Sequence, residues 1–326
     1  MRIITSVAQL PPRLPRPVVA IGTFDGVHRA HAAIIRRVVQ EARRTRGASV
    51  VVSFDPHPQH VLRPGGRPRL LTRVDQRLEL FRALGVDRVW LIRFTRAFAR
   101  LSPEAFFSRL IVRALHAKTV VVGSSFGFGH GRQGHVALLM ALGRQAGVAV
   151  RQVPDVLDGG APITSSRIRA AIAQGRLRDA ARWLGRPVTL RGRVTRGRRR
   201  GRTLGFPTAN IEHDHLVLPP AGVYVVRAHI GARAFPGVAN VGHRPTFEQT
   251  PATTVEVHLL QTRRRLYGRT MTVEWLQRLR DERQFLSAEL LQRQIAADID
   301  EATQFFRRQR RTPRTPATTR AAVSAA

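Results

Sequence analysis

Between residues 17 and 153, short apolar runs alternate with longer amphipathic segments, and this alternation restricts the fold more than any other feature of the chain. Runs that are apolar at odd and even positions alike suit strands covered on both faces, as in a parallel sheet between helix layers. The runs at 18–22, 49–54, 88–92, 119–123 and 148–153 predict five strands. Segments 31–46, 74–84, 103–115 and 136–146 predict the helices that cover them. Ser102-Pro103-Glu104 is a helix start, with serine as cap and proline in the first turn. The first half is therefore expected to be a doubly wound α/β domain.

Two shorter helices, 165–173 and 177–184, run up to Gly185-Arg186-Pro187, a helix stop followed by a breaker. The domain boundary is placed after residue 185. Beyond it the period changes to two, with strands expected at 188–195, 222–230, 234–240, 253–260 and 270–276. Closely spaced strands with Gly and Pro turns predict a small antiparallel barrel, closed by one amphipathic helix at 287–306. Residues 307–326 carry like charges without apolar periodicity and are expected to be a disordered basic tail.

At 326 residues, two domains with a core each are expected. The chain contains no cysteine, which excludes disulfide scaffolds, thiolate catalysis and cysteine-ligated zinc or iron–sulfur sites. No apolar run is long enough to span a bilayer and the first residues lack a secretion leader, so a cytoplasmic location is expected. The net charge of +34 raises the question of nucleic acid. Lys118 is the sole lysine and arginine is spread over the whole length, a distribution that fits compositional bias better than a binding stripe. Aromatic residues make up 6% of the chain, too few to suggest a surface for stacking single-stranded bases. A basic nucleic-acid-binding protein is the alternative from a different class; a pull on anionic small molecules is the other use of the charge.

The stretch "IGTFDGVHRAHAAII" (21–35) follows the first strand and opens the first long helix. In an open α/β sheet that turn lies at the carboxyl edge, where ligands bind. His28 and His31, three apart at a helix start, put two imidazoles beside free backbone N–H groups and a positive helix end, a place for a polyphosphate. A plain surface histidine pair, or a metal set completed by Asp25, are the competing readings.

These residues resemble G-x-F-D-G-x-H-x-G-H, the signature of prokaryotic FMN adenylyltransferases, which belong to a wider Rossmann-like nucleotidyltransferase group. The resemblance carries over Gly22, Phe24, Asp25, Gly26, His28 and His31, and departs at Ala30, where the family has glycine. It implies that the histidines contact ATP phosphates while Asp25 and the glycines shape the site. "VVSFDPHP" (51–58) and "LIRFTRAFARLSPEAFF" (91–107) follow in the family's order. "VVGSSFGFGHGRQGH" (121–135) resembles the flavin and ATP loop, keeping Phe126, Phe128 and Arg132. Ser125 stands there for an acidic or amide residue, Gly127 for an arginine and His135 for an aspartate. "ITSSRIR" (163–169) resembles I-S-S-T-R-I-R, which makes Ser165, Ser166 and Arg167 phosphate-binding candidates, with a capping role as the plainer reading of either serine.

The second constellation is "GRTLGFPTAN" (201–210), preceded by a run of arginines. Gly197, Gly201 and Gly205 permit a tight loop around an anion, with Arg202 adding charge. Pro207 stiffens the chain so that Thr208 and Asn210, two apart on an extended segment, direct a hydroxyl and an amide to one side. Taken alone, an ordinary turn before a strand explains these residues equally well. The stretch resembles the riboflavin kinase signature G-x-x-R-G-R-x-L-G-F-P-T-A-N at every position, which implies that Thr208 and Asn210 hold Mg²⁺ with ATP. The resemblance makes Glu256, in "TVEVHLL" (254–260), the general base and Arg280, in "LYGRTMTVEWLQRLRDERQF" (266–285), a ligand contact. Without the family context, Glu256 reads as an outward strand glutamate between inward Val255 and Val257.

The resemblance thus implies a bifunctional enzyme that converts riboflavin and ATP to FMN, then FMN and ATP to FAD, with riboflavin, FMN and ATP as its small-molecule substrates. Ala30, Ser125, Gly127 and His135 open the alternative of a riboflavin kinase whose first domain no longer transfers AMP.

Overall fold

The computed structural model describes residues 1–63, 65–196, 205–213, 215–244, 252–260 and 266–311. The chain divides into two compact units, Met1–Pro187 with His215–Val217, and Val188–Asp214 with Leu218–Ala326. The first unit takes in Arg186, whose side chain donates to the Gly26 carbonyl.

The first unit opens with β1 (Arg2–Ile4), β2 (Val18–Ile21), α1 (Arg29–Arg44), β3 (Ser49–Asp55), α2 (Pro58–Leu62) and α3 (Val74–Ala83). It continues through β4 (Arg88–Arg93), α4 (Arg96–Ala99) and α5 (Pro103–Phe106), which runs on as a π-helical segment, Phe107–Ala114. β5 (Thr119–Gly123), α6 (Val136–Ala146), β6 (Ala149–Val153), the small hairpin β7 (Leu157–Asp158) and β8 (Ala161–Pro162), then α7 (Ser165–Ala173) and α8 (Leu177–Leu184) complete it. The six long-range strands form one sheet in the order β1-β4-β3-β2-β5-β6, and every pairing is parallel. The edge strand β1 escaped the sequence reading because it has three residues, two of them exposed.

Alternate residues of β2 enter different cores, which is why the run is apolar throughout. Val19 and Ile21 pack in one layer with Val50, Val52 and Ile111, while Val18 and Ala20 pack in the other with Ile35, Val38 and Phe81. Each such aliphatic side chain contributes about 1.5–3 kcal/mol on burial. The order reverses at β2, whose neighbours are β3 and β5, so the carboxyl ends of these strands frame the crevice in which doubly wound sheets bind ligands.

The second unit comprises β9 (Thr189–Thr195), β10 (Ala209–Ile211), β11 (Gly222–Ile230), β12 (Arg233–Arg244), β13 (Ala252–Leu259), β14 (Thr270–Arg280) and α9 (Ala288–Arg311). The strands form a closed antiparallel barrel in the order β10-β13-β12-β11-β14-β9. The expected closing helix is not what closes it: β10 pairs with β9 through Asn210↔Thr195 and Ile211↔Val194, and α9 lies against the outer face. The interior is filled by Leu190, Val194, Val241, Val255, Val257, Met271 and Val273, all nearly inaccessible. Helix α9 continues five residues past the predicted end at Phe306, to Arg311; residues 312–326 of the basic tail lie outside the described residues. No helix among the described residues is long and apolar enough to cross a membrane.

Candidate active sites

The turn between β2 and α1 is the most tightly determined segment of the first unit. Phe24, Gly26 and Val27 have positive φ, at 49°, 82° and 39°. Such backbone costs about 1–3 kcal/mol at a bulky residue and persists only where the surroundings over-determine it. Helix α1 begins at Arg29, two residues before the predicted start, because His28 is its cap: the His28 Nδ1 accepts the His31 backbone N–H at 3.4 Å. The two rings stack with centroids 3.6 Å apart and planes 20° from parallel. With Nδ1 accepting, the proton of neutral His28 sits on Nε2. Burial, followed by the nearby Arg186 and Arg169 charges, pushes its pKa down to about 3. Burial and the His28 and Arg77 charges hold His31 well below the usual range too. Both imidazoles are therefore neutral donors or acceptors at physiological pH.

The Asp25 carboxylate is engaged from within the protein. It is 2% exposed and accepts the Leu71 N–H at 3.0 Å on both oxygens and the Thr72 N–H at 3.1 Å. Arg169 Nη1 donates to it at 2.9 Å. These bonds anchor the turn, in keeping with the site-shaping role expected of Asp25. Burial raises its pKa, partly offset by these bonds and by the Arg169 charge. Gly22 follows β2 with the Phe24 ring packed over it, and Gly26 donates its N–H to Thr72 Oγ1 at 3.0 Å.

The ITSSRIR segment is organised differently from its sequence reading. The cap of α7 is Thr164, which accepts the Arg167 N–H at 3.1 Å, so neither serine caps the helix. Ser165 Oγ donates to the Asp25 carbonyl at 2.9 Å, and Ser166 Oγ accepts from Arg169 at 3.3 Å. Arg167, a phosphate-binding candidate, donates to the Ala161, Pro162 and Asp158 carbonyls and stacks 4.1 Å over Trp183. That geometry commits it to the β7–β8 hairpin. Arg169 is the guanidinium that reaches the histidine turn.

In the loop after β5, Phe126 and Phe128 stack at 5.5 Å, and Phe128 is buried against Phe106. Ser125 is exposed and its carbonyl accepts from Arg132 Nη2 at 3.1 Å. The Arg132 guanidinium lies over Gly127, in the space a side chain there would take. His135 caps α6, its Nδ1 accepting the Leu138 N–H at 3.3 Å.

In the barrel, Asn210 on β10, Glu256 on β13 and Asn240 on β12 stand directly opposite one another, so the three share a face. That face is the outer one, since the flanking Val255 and Val257 fill the interior. The outward reading of Glu256 is geometrically right, and the residue is half-buried. It lines a cavity of about 730 Å³ between the barrel wall and α9, together with Thr208, Asn240, His258 and Arg280. Thr208 Oγ1 donates to Glu256 Oε2 at 3.1 Å, and Asn210 is 9% exposed beside the pair. The opposite wall carries an apolar strip, Leu291, Ile295 and Ile299 on successive turns of α9 and Phe285 ahead of it, with Asp298, Arg283 and Gln284 beside it. Arg280 lines the cavity but its guanidinium is held by Asp298 of α9, at 2.9 Å from Nε and 2.8 Å from Nη2. Pro207 is exposed and accepts from His258 Nδ1 at 2.9 Å; Gly205 is exposed with φ 85°. Gly197, Gly201 and Arg202 lie outside the described residues.

Residues 11–167 match the FAD synthetase family and residues 184–306 the riboflavin kinase family. The bifunctional riboflavin kinase/FMN adenylyltransferase of Escherichia coli K12 is 39% identical over 290 residues, covering 89% of this chain and 92% of its own. The enzyme of that description from Bacillus subtilis 168 is 34% identical over 308 residues, with 89% and 93% covered. The chain belongs to the bifunctional riboflavin kinase/FMN adenylyltransferase family. A solved structure from Streptococcus pneumoniae, described as a macrolide-efflux protein, has a TM-score of 0.81 at 32% identity and covers 93% of this chain and 98% of its own.

As a riboflavin kinase/FMN adenylyltransferase family member, the chain departs from the adenylyltransferase motifs at positions 30, 125, 127 and 135. His135 caps α6 with its ring, and Arg132 occupies the space beside Gly127. Ala30 lies in the first turn of α1. Sequence reasoning missed Arg77, Arg169 and Arg186, three buried or half-buried guanidiniums around one carboxylate, and Asn240 in the barrel. The arginines gave no signal because each is one among 54 spread along the chain. Asn240 had a usable one, as the only amide on an otherwise apolar strand segment, 237–241. Among the described residues no group of three His, Asp or Glu is placed to hold a metal ion.

Proposed function

We infer that the chain performs both reactions of its family, phosphorylating riboflavin to FMN in the barrel and adenylylating FMN to FAD at the histidine turn, with ATP as the donor in each. The observation that carries the reading is the Thr208–Glu256 pair on the wall of a cavity of about 730 Å³ whose other wall carries an apolar strip. A tricyclic flavin ring fits against Leu291, Ile295 and Ile299, which leaves its ribityl chain toward Glu256. Glu256 accepts the proton of the ribityl 5′-hydroxyl as that oxygen bonds to the γ-phosphorus of ATP and the bond to ADP breaks.

Thr208 and Asn210 offer a hydroxyl and an amide oxygen beside Glu256, a hard-oxygen set of the kind Mg²⁺ takes alongside nucleotide phosphates. When bound, Mg²⁺ supplies neutralisation of phosphate charge. The two residues' own part is to orient the polyphosphate and, for Thr208, to hold the Glu256 carboxylate toward the cavity.

In the second reaction an FMN phosphate oxygen bonds to the α-phosphorus of ATP and pyrophosphate leaves. Neutral His28 donates from Nε2 to phosphate oxygens as charge grows there, and the buried arginines set the positive potential. Purified protein given riboflavin, ATP and MgCl₂ should accumulate FMN and then FAD with one pyrophosphate per FAD. The kinase-only reading, which the exposed Ser125 and side-chain-free Gly127 favour, requires FMN to accumulate with no FAD at all.

A further inference from the structure

The strained turn ahead of α1 is held by its carbonyl groups, and they are accounted for one by one. Thr23 O accepts from Arg77 at 2.6 Å, Phe24 O from the Val27 N–H at 3.0 Å, and Asp25 O from Ser165 at 2.9 Å. The remaining two depend on one side chain: Arg186 Nη2 donates to Gly26 O at 2.6 Å and Nη1 to Val27 O at 3.3 Å. These carbonyls immediately precede His28.

Arg186 is aimed there by the end of α8. Gly185, with φ 72°, reverses the chain, and both the Gly185 and Arg186 N–H groups return to the Ala181 carbonyl, at 2.9 and 3.2 Å. Leu184 packs toward Gly26 from the same helix end. Arg186 is half-buried, and desolvation lowers its pKa to about 10.

We propose that Arg186 is a positioning residue of the adenylyltransferase site: by tying the Gly26 and Val27 carbonyls it fixes the entry to α1 and, through it, the direction of the His28 ring. The proposal rests on the reading of that site as the one that transfers AMP. Arg186 acts through the turn, with no part in bond making. Its charge has a second consequence. The ionisable groups around His28 are His31 on its own helix, Arg169 on α7 and Arg186 after α8, with Asp25 and Arg77 behind the turn. The two arginines disfavour imidazolium, so removing Arg186 raises the His28 pKa and brings loss of its capping bond to a higher pH.

The test uses the full chain carrying R186Q or R186K, with FAD formation from FMN, FMN formation from riboflavin, and the His28 ring titration by NMR measured side by side. R186Q should lower kcat for FAD formation by about 30- to 100-fold, with KM for ATP changed less than about threefold and kinase turnover preserved. Its His28 titration and the acid limb of its pH–rate profile should both move to higher pH. R186K, which keeps the charge but only a one-point donor, should leave the titration near that of the wild type and recover part of kcat. Wild-type FAD formation by R186Q, equal loss of both activities, or an unmoved His28 titration would overturn the proposal. A wild-type chain that makes no FAD would sink the assignment of the site itself, and the ring titration would still show whether Arg186 governs His28.

Discussion

Around His28, charge is built into the first unit: Asp25, Arg77, Arg169 and Arg186 are bonded to backbone and to one another, and the histidines they surround are neutral. Around Glu256, by contrast, the barrel core has been left untouched, because the carboxylate projects from the outer wall into a space that α9 encloses. The first arrangement makes the site part of the fold's own structure, so changes there touch stability as well as chemistry. The second separates the two, so a barrel residue is removable from the reaction without loss of the barrel.

The sharpest break of that contrast is Glu256→Gln, an isosteric change on the outer wall. FMN formation should fall by about a thousandfold while the thermal unfolding of the barrel and FAD formation from supplied FMN stay unchanged; unaltered kinase turnover would remove Glu256 from its role. Replacing both His28 and His31 with Ala should lower FAD formation by about 100- to 1,000-fold and leave the kinase working. Because this change also removes the α1 cap, it should lower the unfolding temperature of the first unit, and an unchanged temperature would contradict the contrast drawn here. Asp298→Asn removes the charge that holds the half-buried Arg280, which keeps its bond to the Asp281 carbonyl at 3.0 Å. The expected signature is a KM for riboflavin raised about tenfold with kcat nearly preserved, since α9 forms a wall and does no chemistry.

Acidification provides a milder test. The folded-state pKa of His28 lies near 3, below its ordinary value of about 6.5, so the unfolded chain binds more protons between these limits. Stability of the first unit should therefore fall as pH drops below 6.5, with His28 alone contributing at most about 1.4 kcal/mol per pH unit. His28→Asn should flatten this dependence while keeping a side-chain cap, as followed by denaturant midpoints at pH 7 and pH 5. The smallest effect is expected for Ala30→Gly: a change in FAD formation of about threefold or less, because the turn is fixed from behind rather than by closeness at position 30.

The parts of this molecule visible in the sequence are those with local repetition. The parallel sheet showed in runs buried on both faces, the barrel in alternation by two, and the two sites in short contiguous motifs. What stayed hidden was carried by partners far apart in the chain or by elements too short to have a period. Arg186 meets Gly26 across 160 residues, and nothing near either position announces the other. Arg167 and Arg169 stand two apart on α7 and are chemically alike, yet one serves a hairpin and the other the histidine turn. The outward character of Glu256 was legible; that α9 would roof it was not, since amphipathicity gives a helix an apolar face but no address for it.

The barrel is sealed by β10, the shortest of its strands, and the ring of backbone hydrogen bonds is complete only while these three residues stay paired on both sides. The same three residues include Asn210 and directly follow Thr208. Any fluctuation that unzips the cylinder at this seam also displaces Thr208 and Asn210. On the role proposed for these two residues, a bound nucleotide should therefore tighten the whole cylinder.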